Sequence, residues 1–173
     1  CDSIEAKKAT VAAARYKGPV YIRFTREKTP VMTTEETPFE IGKAEIFRDG
    51  KNVTIIGCGP LIYEALKAAE ELAKEGIEAE VVNNHTIKPM DKDTILKSVK
   101  KTGCVVTIEE HQAAGGMGSA VSEILSQNHP APMEIIGVKD HFGESGEPSE
   151  LLEKFGLTAK DIVEAVKKVL KRK

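Results

Sequence analysis

Residues 51–91 read KNVTIIGCGPLIYEALKAAEELAKEGIEAEVVNNHTIKPMD. The β-branched run Val53, Ile55 and Ile56 ends in Gly57-Cys58-Gly59-Pro60. A helical pattern follows, with Leu61, Ala65, Leu66, Ala69 and Leu72 spaced by three and four. Gly76 stands where a left-handed residue would end that helix. Ala79-Glu80-Val81-Val82 then reads as a second strand. Strand, helix and strand with short joins make a βαβ unit, which implies parallel strands. Glycines in the first turn let the backbone reverse closely beneath the helix.

The alternation continues downstream. Pro89-Met90-Asp91 opens a helix, with Asp91 as its N-cap, a body over residues 94–101 and Gly103 at its end. Residues 104–109 are almost wholly apolar, as in a central strand covered on both faces. A loop over 110–118 leads to a helix over 119–127 with Val121, Ile124 and Leu125 on one side, and 134–138 reads as the last parallel strand. A short helix over 149–155 stops at Gly156. The last helix starts at Thr158, which with Asp161 fits a capping box, and turns Ile162, Val163, Val166, Val169 and Leu170 to the core. Upstream, residues 44–48 form a short strand. Asp49-Gly50 is a tight-turn dipeptide, so this strand and 53–57 are expected to pair as a hairpin. The fold class is α/β: three layers, α/β/α, around a mostly parallel mixed sheet.

The leading residues differ in kind. Residues 2–16 read as a helix with Asp2 and Ser3 as caps, stopped by Gly18-Pro19. Val20-Tyr21-Ile22-Arg23-Phe24 reads as a strand, and Thr25-Arg26 places a cation just past its carboxyl end, where α/β proteins collect ligands. Residues 27–38 hold two prolines and many Thr and Glu residues, the composition of a linker. One helix and one strand cannot bury a core, since chains below about 40 residues usually need staples or partners. The expected organisation is therefore 1–33 as the end of another domain, 34–38 as linker and 39–173 as a complete α/β module.

Composition narrows the function. The chain has 173 residues, 40% hydrophobic, 30% charged and only 5% aromatic, so its core must be aliphatic. A net charge of −2 creates no field for nucleic acid or an anionic membrane. No apolar run approaches the ~20 residues of a membrane span. Cys1, Cys58 and Cys104 lack metal-ligand spacing and read as reduced thiols of a cytoplasmic protein. The first residue is not Met, so a fragment of a longer protein is expected.

Several motifs could carry chemistry. Gly57-Cys58-Gly59 sits between strand and helix as a dinucleotide fingerprint would, but Ile62 takes the place of the third glycine. Asn83 and Asn84 stand where the acidic partner belongs, and a structural turn is the better reading. The loop Gly115-Gly116-Met117-Gly118 precedes a helix and is either an anion cradle or a tight structural loop. His111 follows Glu109 and Glu110, a pattern open to acid–base chemistry or to a hydrogen-bonded interface histidine. His85, His111 and His141 all fall near strand ends without metal-binding spacing. The loop from His141 to Gly146 reads as a demanding turn.

Taken in order, Ile41-Gly42-Lys43-Ala44, Thr86-Ile87-Lys88-Pro89-Met90-Asp91, Val106-Thr107-Ile108-Glu109-Glu110-His111, Gly115-Gly116-Met117-Gly118-Ser119-Ala120-Val121 and Phe142-Gly143-Glu144-Ser145-Gly146 carry a family likeness. So do Glu150-Leu151-Leu152 and Phe155-Gly156-Leu157. The chain resembles the C-terminal part of transketolase, especially the C-terminal subunit of split transketolases. Deoxyxylulose-phosphate synthases and 2-oxo-acid dehydrogenase E1 β subunits share some of these segments, and the Phe142–Gly146 stretch favours transketolase. The resemblance implies transfer of a two-carbon ketol unit between sugar phosphates with thiamine diphosphate and Mg²⁺. It implies that residues 1–33 end the pyrimidine-binding middle domain. The activating glutamate and the metal ligands then lie outside this chain, which is expected to bind no cofactor, hold no catalytic residue and be inactive alone. Its implied partners are an N-terminal subunit or missing N-terminal segments, and a second copy in a homodimer. One residue carries over: Arg26 matches the arginine that grips the substrate phosphate. The competing reading from another class is a non-catalytic, anion-binding regulatory module.

Overall fold

In the computed structural model, which describes residues 1–173, β2 (Val53–Gly57) and β3 (Ala79–Asn83) pair in parallel and are joined through α2 (Ile62–Lys74). The register sets Val53 opposite Ala79 and Gly57 opposite Asn83. Beyond β2 lie β4 (Val105–Gln112) and β5 (Met133–Val138), also parallel, while β1 (Glu45–Arg48) joins the far side of β3 antiparallel. The sheet order is β1-β3-β2-β4-β5.

Alternation along the strands divides the core into two layers. Val53, Ile55, Val81, Val106 and Ile108 pack with α2 and α6 (Ala159–Leu170). Ile56, Val82 and Val105 meet Ile95 and Val99 of α3 (Lys92–Thr102) and Val121 and Leu125 of α4 (Met117–Asn128). Most of these side chains are wholly shielded, and burying each contributes about 1.5–3 kcal/mol. A short α5 (Pro148–Lys154) precedes α6.

Local chemistry sets the helix ends. Asp91 caps α3 by accepting the Thr94 N–H at 3.1 Å and its hydroxyl at 2.8 Å. Its carboxylate also takes the Ala44 N–H at 3.0 Å, which ties the chain before β1 to the start of α3. Gly42 packs against Pro89 in the same corner, and the Lys88–Pro89 bond is cis. Gly103 ends α3 at φ 75°, and the Thr158–Asp161 capping box starts α6.

Two expectations fail. The strand over 44–48 does not form a hairpin with β2; it pairs with β3, Ile46 opposite Val82. Strand β3 is buried along its whole length and takes a partner on each side, whereas the half-exposed β1 suits a margin. The Asp49-Gly50 pair serves a close crossing instead of a tight turn. A Cβ on Gly50 would stand 2.3 Å from the backbone of Ala79 and Glu80. Just beyond it, the Lys51 and Asn52 N–H groups donate to the Glu78 carbonyl at 3.0 and 2.9 Å.

The second failure is the strand over 20–24. Its backbone pairs with no neighbouring strand, so no strand exists there, and Tyr21 is 87% exposed. An extended segment becomes a strand only when another backbone supplies partners. The leading helix, α1 (Ser3–Arg15), is present as expected, but Glu5 is its only buried residue. No residue before Val53 belongs to either core cluster. Smaller differences concern ends: β4 runs on to Gln112, and α4 begins at Met117 instead of 119. No helix is long and apolar enough to cross a membrane.

Candidate functional site at the carboxyl edge of the sheet

The leading segment lies against the carboxyl ends of β2, β3 and β4 and encloses a cleft of ≈ 500 Å³ with them. Glu5, Arg23, Phe24, Gly59, Pro60 and His85 are among the residues lining it. Contacts from α1 hold the segment in place. The buried Glu5 carboxylate accepts from the side-chain amide of Asn83, the last residue of β3. Asp2 caps α1 through the Glu5 N–H at 2.9 Å and reaches across to residues before the module. It accepts the Met32 and Thr33 N–H groups at 2.7 and 2.6 Å and the Thr33 hydroxyl at 2.8 Å. Burial would raise this carboxyl, but these hydrogen bonds outweigh it and hold the group at about 2. Lys8 adds a bond to the Thr34 carbonyl at 2.6 Å.

Two arginines on this segment differ in setting. Arg23 donates from Nη2 to the Glu110 carbonyl of β4 at 2.9 Å. Arg26 stands in solvent, its side chain 95% exposed, with only Glu27 nearby at 3.5 Å. Its guanidinium fork is therefore free to meet an anion.

The three edge histidines do not form a unit, and no hydrogen bond joins any two of them. His85 stacks on Phe39 with ring centroids 4.2 Å apart, and its Nδ1 meets the Thr86 hydroxyl at 2.9 Å. Burial pushes its imidazole below the ordinary value despite the nearby Glu5 charge. His111 is exposed, with Nδ1 beside the Gln112 carbonyl at 3.0 Å. His141 is exposed in the loop after β5. No hydrogen bond joins His111 to Glu109, whose carboxylate is engaged at the start of α4.

Glu109 resolves the glycine loop. Its carboxylate accepts the Met117 N–H at 2.7 Å and the Gly118 N–H at 2.8 Å, at the start of α4. The helix N-terminus is thus already filled by an internal anion, and no external one is needed. The glycines make room for it: a Cβ on Gly116 would lie 2.5 Å from the Glu109 oxygens, and one on Gly118 would lie 2.6 Å from the Thr107 hydroxyl. The spacing of Glu109 ahead of Gly116 and Gly118 held this signal, hidden by the apolar strand around it. The Gly57-Cys58-Gly59 turn is structural too, since a Cβ on Gly57 would meet Ile62 at 2.9 Å and Ile108 at 3.2 Å. Burial first, and then the Glu109 charge, push the Cys58 thiol up to about 12, so it is no nucleophile.

The residues present do not fit a thiamine diphosphate or Mg²⁺ centre. No three His, Cys, Asp or Glu side chains converge as metal ligands. Each buried glutamate has a protein partner: Glu5 meets Asn83, Glu80 meets Lys101 through one oxygen only, and Glu109 meets the start of α4.

Comparison with known proteins adds the family. A family described as transketolase, C-terminal domain, matches residues 42–162. The 6-deoxy-6-sulfo-D-fructose transketolase subunit SqwH of a Clostridium species is 48% identical over 99% of this chain and 53% of its own length. The 1-deoxy-D-xylulose-5-phosphate synthase of Trichormus variabilis is 40% identical over 95% of this chain and 27% of its own length. A solved structure titled split gene transketolase, inactive beta4 tetramer, superposes with a TM-score of 0.96 at 44% identity. The match covers 99% of this chain and 56% of that one, and the chain likewise spans about half the length of the SqwH subunit.

Proposed function

Because the chain belongs to the transketolase C-terminal domain family, we propose that it is the C-terminal part of a transketolase. Joined to the part it lacks, it would move a two-carbon ketol unit between sugar phosphates. The observation that carries this reading is the reach of the likeness to a split-gene transketolase. It extends over 99% of the chain, leading segment included, and so beyond the terminal module alone. In this reading thiamine diphosphate and Mg²⁺ belong to the missing part, where the cofactor supplies the carbanion chemistry.

Residues 1–33 are the end of the middle domain, 34–38 the linker and 39–173 the terminal domain. The exposure of Val11, Tyr16, Val20, Tyr21 and Phe24 supports the first assignment, since apolar side chains left in water over one segment have a globule to complete. Arg26 contributes the phosphate grip. Its planar fork suits a phosphate, and a contact remote from the reacting carbon orients the sugar without touching the chemistry. The partners are the upstream part of the enzyme and a second copy of the terminal domain. Deoxyxylulose-phosphate synthesis is the second reading, favoured by the 40% identity to such a synthase.

The test joins the chain to its N-terminal part and offers two substrate pairs. Ketose phosphate with aldose phosphate should turn over. Productive use of pyruvate with glyceraldehyde phosphate, and of that pair only, would replace the transketolase reading by the synthase one.

A further inference from the structure

Arg26 has nothing firm beneath it, yet a phosphate grip must be held in place to be useful. The structure supplies a fixing point three residues earlier, where Arg23 donates from Nη2 to the Glu110 carbonyl at 2.9 Å. Arg23 is turned to the carboxyl end of β4, and Arg26 stands free in solvent. The acceptor lies one residue past an anchored position. Glu110 follows Glu109, whose carboxylate binds the Met117 and Gly118 N–H groups and locks β4 to α4.

We propose that Arg23 is a positioning residue for substrate phosphate: by bolting residues 20–26 to β4, it lets the terminal domain set where Arg26 stands. The inference rests on the transketolase reading and on the role of Arg26 within it, and it gives the terminal domain a part in substrate recognition that neither implies. The bond is directional and charge-assisted, and the acceptor is a main-chain carbonyl, so only the arginine side can be altered. Arg23 also lines the cleft over Gly59 and Pro60, so the bolt spans the point where the sheet order reverses between β2 and β4.

The experiment uses the chain assembled with its N-terminal part and compares a phosphorylated aldose acceptor with an unphosphorylated hydroxyaldehyde. For Arg23→Gln, the ratio of kcat/KM for phosphorylated over unphosphorylated acceptor should fall about five-fold, carried by KM, the scale of one ordinary hydrogen bond at an exposed position. Arg23→Lys keeps a cationic donor and should recover part of the ratio. Equal losses on both acceptors, or no change in the ratio, would overturn the proposal, because a merely structural arginine affects both alike. Arg26→Ala is the control. If it lowers the ratio while Arg23→Gln does not, the positioning role fails and the phosphate reading stands. If Arg26→Ala leaves the ratio intact, the phosphate reading fails and the positioning role falls with it.

Discussion

Replacing Glu109 by glutamine probes the internal anion that starts α4. The side chain is 3% exposed and accepts two backbone N–H groups, at 2.7 and 2.8 Å. Glutamine keeps the shape, but its amide can accept from only one of these groups and must present its own N–H to the other. Losing one charge-assisted bond costs about 1.5–3 kcal/mol, and stranding a buried donor costs about 1–3 kcal/mol. The lost charge at the helix N-terminus adds about 0.3–1 kcal/mol. These contributions overlap, so about 3 kcal/mol is the expected total. For a chain of this size that corresponds to a fall in Tm of about 6–12 °C. Urea denaturation should show a lower midpoint with an unchanged slope. A loss below about 0.5 kcal/mol, the range of ordinary surface changes, would refute the buried-cap reading.

Other perturbations probe other joints. Gly50→Ala places a Cβ 2.3 Å from the β3 backbone, which no rotamer change relieves, and should cost about 3 kcal/mol or more in urea denaturation. Gly143→Ala, with open space around it, should stay within about 0.5 kcal/mol; equal effects would contradict the β1-β3-β2 crossing. The Asp2 carboxyl sits at about 2 in place of 3.8, so its tie to Thr33 is at full strength above 3.8 and fades as pH falls toward 2. The Thr33 amide signal in an NMR titration should move with a midpoint at about 2, whereas one near 3.8 would deny the tie. In the assembled enzyme, Arg26→Ala should raise KM for phosphorylated sugars about ten-fold or more, the scale of a charge-assisted contact. An unchanged KM would remove Arg26 from the site.

Much of this fold was legible in the sequence, because strand and helix periods alternate cleanly from Val53 onward. The Asp91 cap and the Thr158–Asp161 box stand in the sequence where the structure has them. What stayed hidden depends on neighbours distant in the chain. Asp49-Gly50 looks like a turn until β3 is seen beneath it, because a close crossing and a tight turn both demand glycine. Residues 20–24 have the pattern of a strand, but pairing requires a second backbone. Glu109 read as a boundary of an apolar strand, and only the folded chain brings it to the N–H groups eight and nine residues on. The phosphate role proposed for Arg26 comes from family likeness; the sequence by itself marks it as a cation just past an expected strand end.

On the proposed reading, this chain carries a phosphate grip and a terminal domain while the reacting centre lies in the part it lacks. Steady-state turnover of a ketose phosphate and an aldose phosphate, with thiamine diphosphate and Mg²⁺ supplied, tests it most directly. The isolated chain should show none, and adding the N-terminal part should bring turnover on. Turnover by the isolated chain would contradict the account.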